Sequence, residues 1–273
     1  MKTYADFQTL PLTTKQNYML AYPLPALTRD GRLAECEMVA VSSGSTGRPL
    51  FWPRSSMHEL DIATRFEHVF HGSFHADTLP TLVVIVEALG AHFDQVVLAG
   101  YPPFLKEVVD SGIAQGVDWR RYRVKLILAG EVFSEEWRGL VGERLGADDI
   151  CYQSSSLYGT ADGGVLGNET PVSIAIRRFF AAHPEATRAA FGVSRLPTLV
   201  QYGPLSRFFE TDQGTLVVSG DSGVPLIRYH IADQGGIYNY DVPAQHQMPQ
   251  VTLAPAGDSE YFPVGVKHRY TRK

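Results

Sequence analysis

The chain has 273 residues, 44% of them hydrophobic, with 14 Phe and 13 Tyr, which is enough apolar bulk for one large domain or two modest ones. Its formal net charge is −5, and Lys and Arg are scattered apart from Arg120-Arg121-Tyr122-Arg123 and Lys267-His268-Arg269, which argues against a nucleic-acid partner. No apolar run approaches the roughly 20 residues of a membrane helix, the segment Met1 to Asp6 is polar rather than signal-like, and Cys36 and Cys151 lie outside any CxxC spacing. These features lead us to expect a soluble, cytoplasmic protein with no membrane partner and no zinc site.

In chain order, residues 1–35 read as polar, proline-punctuated structure with a short helix near 14–20. Met38 to Val41 form an apolar run, and residues 37–41 are expected as a strand that feeds the segment Ser42-Ser43-Gly44-Ser45-Thr46-Gly47-Arg48-Pro49. Glycines there allow a turn and close approach of a ligand. Hydroxyls, backbone N–H groups and Arg48 suit phosphate oxygens. The spacing is not that of a Walker A loop. From Ser55 to His71 the apolar residues Ile62, Phe66, Val69 and Phe70 fall on one helical stripe, with Ser55 or Ser56 as cap.

Residues 81–86, 95–99 and 124–128 are apolar, β-branched runs expected as buried strands. A helix is expected after Tyr101-Pro102-Pro103, reaching Asp110. Another should run from a Ser134 cap to Leu145, with Glu135 and Glu136 in its first turn. Residues 149–153 read as a fourth short strand, leading into the serines and then Leu157-Tyr158-Gly159-Thr160-Ala161-Asp162-Gly163-Gly164. This repeated order predicts an α/β fold with mainly parallel sheets flanked by helices, and ligands at the carboxyl ends of the strands. Beyond about residue 197, short strands at 216–219 and 226–229 predict a smaller β-rich subdomain. The expected division is 1–196 and 197–273.

The histidines His58, His68, His71, His75 and His92 cluster in sequence, and His68 and His71 share a helical face. No HExxH pattern accompanies them, so a metal site is not expected there. GxSxG is absent, which removes the usual hydrolase elbow.

Three segments taken together, residues 42–49, Tyr158 to Asp162, and Pro225-Leu226-Ile227-Arg228-Tyr229-His230-Ile231-Ala232-Asp233, resemble the signature motifs of the adenylate-forming superfamily of acyl-CoA synthetases and related ligases. The last segment and Leu10-Pro11-Leu12-Thr13-Thr14-Lys15 are similar to the phenylacetate–CoA ligase branch. The resemblance implies ATP-dependent activation of an organic carboxylic acid to an acyl-adenylate, with an aromatic acid expected. A secondary-metabolite precursor such as a phenazine carboxylate is one such acid.

The implied catalytic residues are Thr46, Arg48, Asp162 and Arg228. The implied nucleotide-binding residues are Ser43, Gly44, Ser45, Thr46, Gly47, Gly130, Glu131, Tyr158, Gly159, Thr160 and Asp233. Tyr158 would pack on adenine, and Gly130 and Glu131 would border it. Asp233 would accept from the ribose hydroxyls, and Asp162 would be the ligand of Mg²⁺. For Arg228 a structural salt bridge is an equal alternative. The superfamily usually has YGxTE or YGxSE, so Ala161 removes a hydroxyl and Asp162 is one methylene shorter than Glu.

Residues 234–273 do not resemble the C-terminal lid of full-length relatives, and the stretch near 86–90 resembles a junction that skips a strand and a helix. The expected reading is thus a chain that activates an acid, with an acceptor enzyme, CoA or a carrier protein as the partner that takes the acyl group, and a homodimer as a candidate assembly. The alternatives are a degenerate, non-catalytic nucleotide-binding module and a full aryl-CoA ligase seen incompletely.

Overall fold

A computed structural model of the chain describes residues 3–33, 36–41, 50–79, 81–83, 92–192, 196–204, 206–221 and 224–237. The segment 42–49 therefore lies outside the described residues, as do the proposed junction at 86–90 and residues 238–273.

Helix α1 (Tyr4–Gln8) opens with a capping box between Thr3 and Asp6. A wide turn over Lys15–Met19 and the short α2 (Leu24–Leu27) follow. Strands β1 (Met38–Val41) and β2 (Phe51–Arg54) pair antiparallel, with Val41 opposite Phe51. Helix α3 (Ser56–Gly72) starts at Ser55, whose hydroxyl accepts the His58 N–H, as its sequence predicts.

The main sheet has the order β3-β4-β5-β6-β7, made of β3 (Thr81–Val83), β4 (Gln95–Gly100), β5 (Val124–Ala129), β6 (Ser154–Thr160) and β7 (Gly164–Asn168). All neighbours are parallel except β6 and β7, which form a hairpin. Strand β5 shows why the sheet is covered on both sides. Val124, Leu126 and Leu128 pack against α4 (Pro102–Ala114) and α5 (Glu135–Leu145) through Leu105, Val109, Val141 and Leu145. Ile127 turns to the opposite face and meets Val69 and Phe74 at the end of α3. The same face holds Lys125, whose Nζ donates to the Tyr152 carbonyl at 2.9 Å and lies over the Phe74 ring. Burial lowers that ammonium to about 8.

Helices α6 (Pro171–Ala182) and α7 (Pro184–Phe191) follow the hairpin. A second, antiparallel sheet of order β10-β9-β8 is built from β8 (Arg207–Asp212), β9 (Thr215–Gly220) and β10 (Leu226–Gln234). Its core residues Phe209, Val218, Leu226 and Tyr229 join Met19, Leu27, Trp52, Leu166 and Tyr202 in one apolar cluster.

The expected strand at 149–153 is a turn instead. The Asp149 carboxylate accepts the Cys151 N–H at 2.9 Å, and the Gln153 side chain accepts the Asp149 N–H at 3.0 Å. Such local side-chain bonds compete with strand pairing. The strand is the serine run that follows. Ser154, Ser155 and Ser156 are buried because their polar groups are satisfied within the protein. The Ser154 hydroxyl donates to the Ile150 carbonyl at 2.8 Å, and that of Ser155 to the Glu169 carbonyl at 2.9 Å.

Arg138 of α5 is fully buried. Its Nε donates to Glu135, its Nη2 to both oxygens of Glu169 at 2.7 and 2.9 Å, and its Nη1 to Ser154. Arg177 of α6 completes the cluster by donating to Glu135 and to the Phe133 and Pro197 carbonyls. Removing one member strands the opposite charges without water. Arg138→Ala is expected to cost about 3–5 kcal/mol in urea unfolding. A loss below about 1 kcal/mol would show that the cluster does not constrain the fold.

Candidate active site

The parallel strands end at one edge. Gly100 pairs with Leu128 and Ala129 with Leu157, so the turns after β4 and β5 lie beside Tyr158. Gly130 has φ of 90°, which a side-chain-bearing residue rarely adopts. It turns the chain so that Glu131 accepts the Tyr101 hydroxyl at 3.0 Å.

The tip of the β6–β7 hairpin carries Ala161, Asp162 and Gly163. Within it the Thr160 hydroxyl accepts the Gly163 N–H at 2.8 Å. The segment is strand through Thr160 and turn only beyond it.

Both conspicuous motifs read Tyr-x-x-x-Asp, and each tyrosine binds the other motif's aspartate. The Tyr158 hydroxyl donates to Asp233 Oδ2 at 2.7 Å. The Tyr229 hydroxyl donates to Asp162 Oδ2 at 2.6 Å. The indole N–H of Trp52 takes the other Asp162 oxygen at 2.6 Å. Trp52 lies on β2, so that strand is tied to Asp162. Sequence reading missed Trp52 and Tyr229 as site residues. The repeated spacing was the available signal for Tyr229, whereas nothing local marks Trp52.

Electrostatics follow from burial. Burial holds the Asp233 carboxyl above its ordinary range, and the Tyr158 hydrogen bond only partly offsets it. Burial first, then the Asp233 charge, hold the Tyr158 hydroxyl well above 10. Burial and the hydrogen bond to Asp162 raise Tyr229 likewise. Both tyrosines are thus neutral donors.

Strand β10 is bent to reach these partners. Its register with β9 slips between Leu226 and Tyr229 and again between His230 and Gln234. Arg228 (φ 47°) and Ala232 (φ 69°) occupy the left-handed region at these slips, at a cost of about 1–2 kcal/mol each. The surroundings of Arg228 compensate. Its Nε lies 3.2 Å from Glu210, and its Nη1 donates to the Gln8 carbonyl at 2.7 Å and to that of Leu10. Of the two readings open for Arg228, these contacts describe the salt bridge. Thr13 adds a bridge to the same strand, accepting the His230 N–H at 2.7 Å.

Ser43, Gly44, Ser45, Thr46, Gly47 and Arg48 lie outside the described residues. Gly130, Glu131, Tyr158, Gly159, Thr160 and Asp162 come together at the sheet edge, and Asp233 reaches it from β10 through Tyr158, whereas Arg228 is turned to Glu210 and the N-terminal segment. Among the described residues no group of three His, Cys, Asp or Glu side chains is placed to hold a metal. A Mg²⁺ bound by one carboxylate and by phosphate oxygens needs no such group. Asp162 keeps lone pairs beyond the two hydrogen bonds it accepts, so it fits that use.

Two solved structures share the fold. Both are of 2-hydroxyisobutyryl-CoA ligase. One is an open conformation in complex with 2-HIB-AMP and CoA, with TM-score 0.53 and 13% identity, covering 97% of this chain and 65% of that one. The other is in complex with the same ligands in the thioesterification state, with TM-score 0.53 and 14% identity, covering 98% of this chain and 60% of that one. The likeness shows a shared fold, an α/β architecture with a parallel-containing sheet flanked by helices. The chain spans less than two thirds of the length of these structures. No protein-family model and no curated protein matches the sequence. Among the described residues no helix is long and apolar enough to cross a membrane.

Two expected outcomes test this geometry. A Cβ on Gly159 would lie 2.5 Å from the Gly164 carbonyl oxygen and 3.2 Å from Val165 Cα, both backbone atoms. Gly159→Ala should therefore cost about 1–3 kcal/mol in thermal unfolding. Gly139→Ala, which meets nothing within 4 Å on helix α5, should not destabilise. Unchanged stability of Gly159→Ala would refute the hairpin contact.

The second concerns Asp233. A carboxyl whose pKa is raised by folding penalises the folded state once it ionises. Asp233→Asn keeps an acceptor for Tyr158 and removes that penalty, so its Tm should exceed the parent's at pH 7. The advantage should shrink as pH falls through the folded value and vanish below the unfolded value of about 3.9. A lower Tm for the variant at pH 7 would contradict burial as the dominant effect.

Proposed function

We propose that this chain activates a carboxylic acid with ATP, forming an acyl-adenylate and releasing pyrophosphate. The observation that carries the reading is the reciprocal pairing of Tyr158 with Asp233 and of Tyr229 with Asp162, which joins two sequence-distant acidic groups at one sheet edge. The fold shared with an AMP-forming CoA ligase supports it. Activation of this kind depends on positioning and electrostatics more than on covalent work by the protein.

In this reading Asp233 accepts the ribose hydroxyls, Tyr158 borders adenine together with Gly130 and Glu131, and Gly159 and Thr160 form the adjoining wall. Ser43, Gly44, Ser45, Thr46, Gly47 and Arg48 surround the phosphates. Asp162 would hold Mg²⁺, which neutralises phosphate charge when bound. Arg228 acts as a clamp between β8, β10 and the N-terminal segment. We place the chain nearest the phenylacetate–CoA ligase branch, because the two segments carrying that similarity, 10–15 and 225–233, pair with each other through Thr13 and Arg228. An aromatic acid is the substrate this placement favours. CoA, a carrier protein or an acceptor enzyme would take the acyl group.

One observation favours a second reading, a nucleotide-binding module without catalysis. Ala161 supplies no hydroxyl, and both Asp162 oxygens already accept hydrogen bonds. ATP–pyrophosphate exchange with a panel of aromatic acids separates the two. Acid-dependent exchange is expected, with Asp162→Ala reducing it at least about a hundredfold. ATP binding without exchange for any acid would establish the binding module instead.

A further inference from the structure

A cavity of about 410 Å³ lies between the end of α3, the base of β7 and the start of α6. Its lining does not include the aspartates or the hairpin tip. His58, near the start of α3, lies against Gly164 at the hairpin tip, its Nε2 3.2 Å from where a Gly164 Cβ would sit. The cavity instead touches His71 and Gly72 on α3 and Asn168 on β7. These residues lie about 20 Å from His58 along the helix and about 13 Å from Gly164 along the strand, and Arg65, on the near side of the cavity, lies about 10 Å from His58.

Its lining offers donors and positive charge. Gln201 is 5% exposed, and its Nε2 has no hydrogen-bond partner among the described residues. A buried donor left unpaired costs free energy that a ligand acceptor would recover. Arg65, also 5% exposed, lines the same space. Its Nη2 donates to the Ser206 hydroxyl and lies 3.9 Å from Asp61. Asp61, which is partly exposed, is shared with Arg207 at 3.2 Å, so two buried arginines face this one carboxylate. The first turn of α6 reaches the cavity through Pro171 and Val172, adding the positive end of a 12-residue helix. Val172 and the Tyr202 ring supply apolar wall.

We propose that this cavity binds a small organic carboxylate, its charged end toward Arg65 and Gln201 and its apolar body against Val172 and Tyr202. The cavity lining shares no residue with the nucleotide edge, and the proposal does not depend on the adenylation reading.

Benzoate is the probe, titrated calorimetrically into the whole chain. Saturable binding is expected, with neutral benzamide at least about tenfold weaker. Val172→Trp, which fills the cavity from its rim, and Gln201→Leu, which removes the unpaired donor, should each raise the benzoate Kd at least about tenfold. Thermal unfolding of both variants confirms that each is folded. Three results would each overturn the proposal: no heat of binding up to ~10 mM benzoate, benzamide binding as tightly as benzoate, or parental benzoate affinity in the two folded variants.

Discussion

Arg138 is the residue through which the parts of this fold are fixed to one another. It sits on α5, bonds Glu169 at the end of β7, reaches Ser154 at the start of β6, and shares Glu135 with Arg177 of α6. Two arginines face two glutamates, so the charges balance without solvent. Glu169 also accepts the Ser156 N–H at 3.0 Å. The base of the β6–β7 hairpin is therefore set by ionic geometry rather than by apolar packing alone. A buried cluster of this kind adds little net stability compared with an apolar replacement, but an incomplete one is heavily penalised. It selects one arrangement of α5, α6 and the hairpin, and the hairpin tip carries Asp162.

At the opposite end the constraint changes character. Trp52 and Tyr229 belong to the apolar cluster under the second sheet, and Tyr158 packs against it, while their polar tips reach the two aspartates. Buried aromatic residues with a polar tip commonly find such partners. Here the partners are the groups most suited to chemistry. The bulges of β10 add strained backbone at Arg228 and Ala232, the kind of local cost that surrounding contacts must hold in place. The Arg228 clamp on Glu210 and on the Gln8 and Leu10 carbonyls supplies those contacts.

Much of the α/β framework was legible because its signals are local. Ser55 and Ser134 cap their helices as their positions suggest, and β4 and β5 coincide with β-branched runs. The serine strand was not legible. Three consecutive serines do not look like a buried strand until the Ile150 and Glu169 carbonyls are seen to accept from the Ser154 and Ser155 hydroxyls, and Glu169 lies beyond the hairpin. The antiparallel β7 was hidden for a related reason, since Gly164-Val165-Leu166-Gly167-Asn168 has glycine where a strand usually has side chains. Gly167 tolerates no Cβ there, because one would meet the Gln201 carbonyl oxygen at 2.7 Å. For the site, Tyr158, Asp162 and Asp233 were visible as motif residues, but the exchange of partners between motifs is a tertiary fact.

The two ends of the hairpin therefore obey different physics, and this decides how each tolerates change. At the base, Glu169 and Arg138 are held by charge, so even a conservative loss of charge is felt directly. At the tip, Asp162 is held by donors whose positions are set by the shape of the apolar cluster. A change deep in that cluster, at Leu166 or Phe209 for example, alters no polar group yet moves the frame that carries Trp52 and Tyr229. Close-packed cores transmit such changes rather than absorbing them. The placement of the acidic pair is thus a property of the core between the two sheets, and the polar contacts at the sheet edge report how well that core is packed.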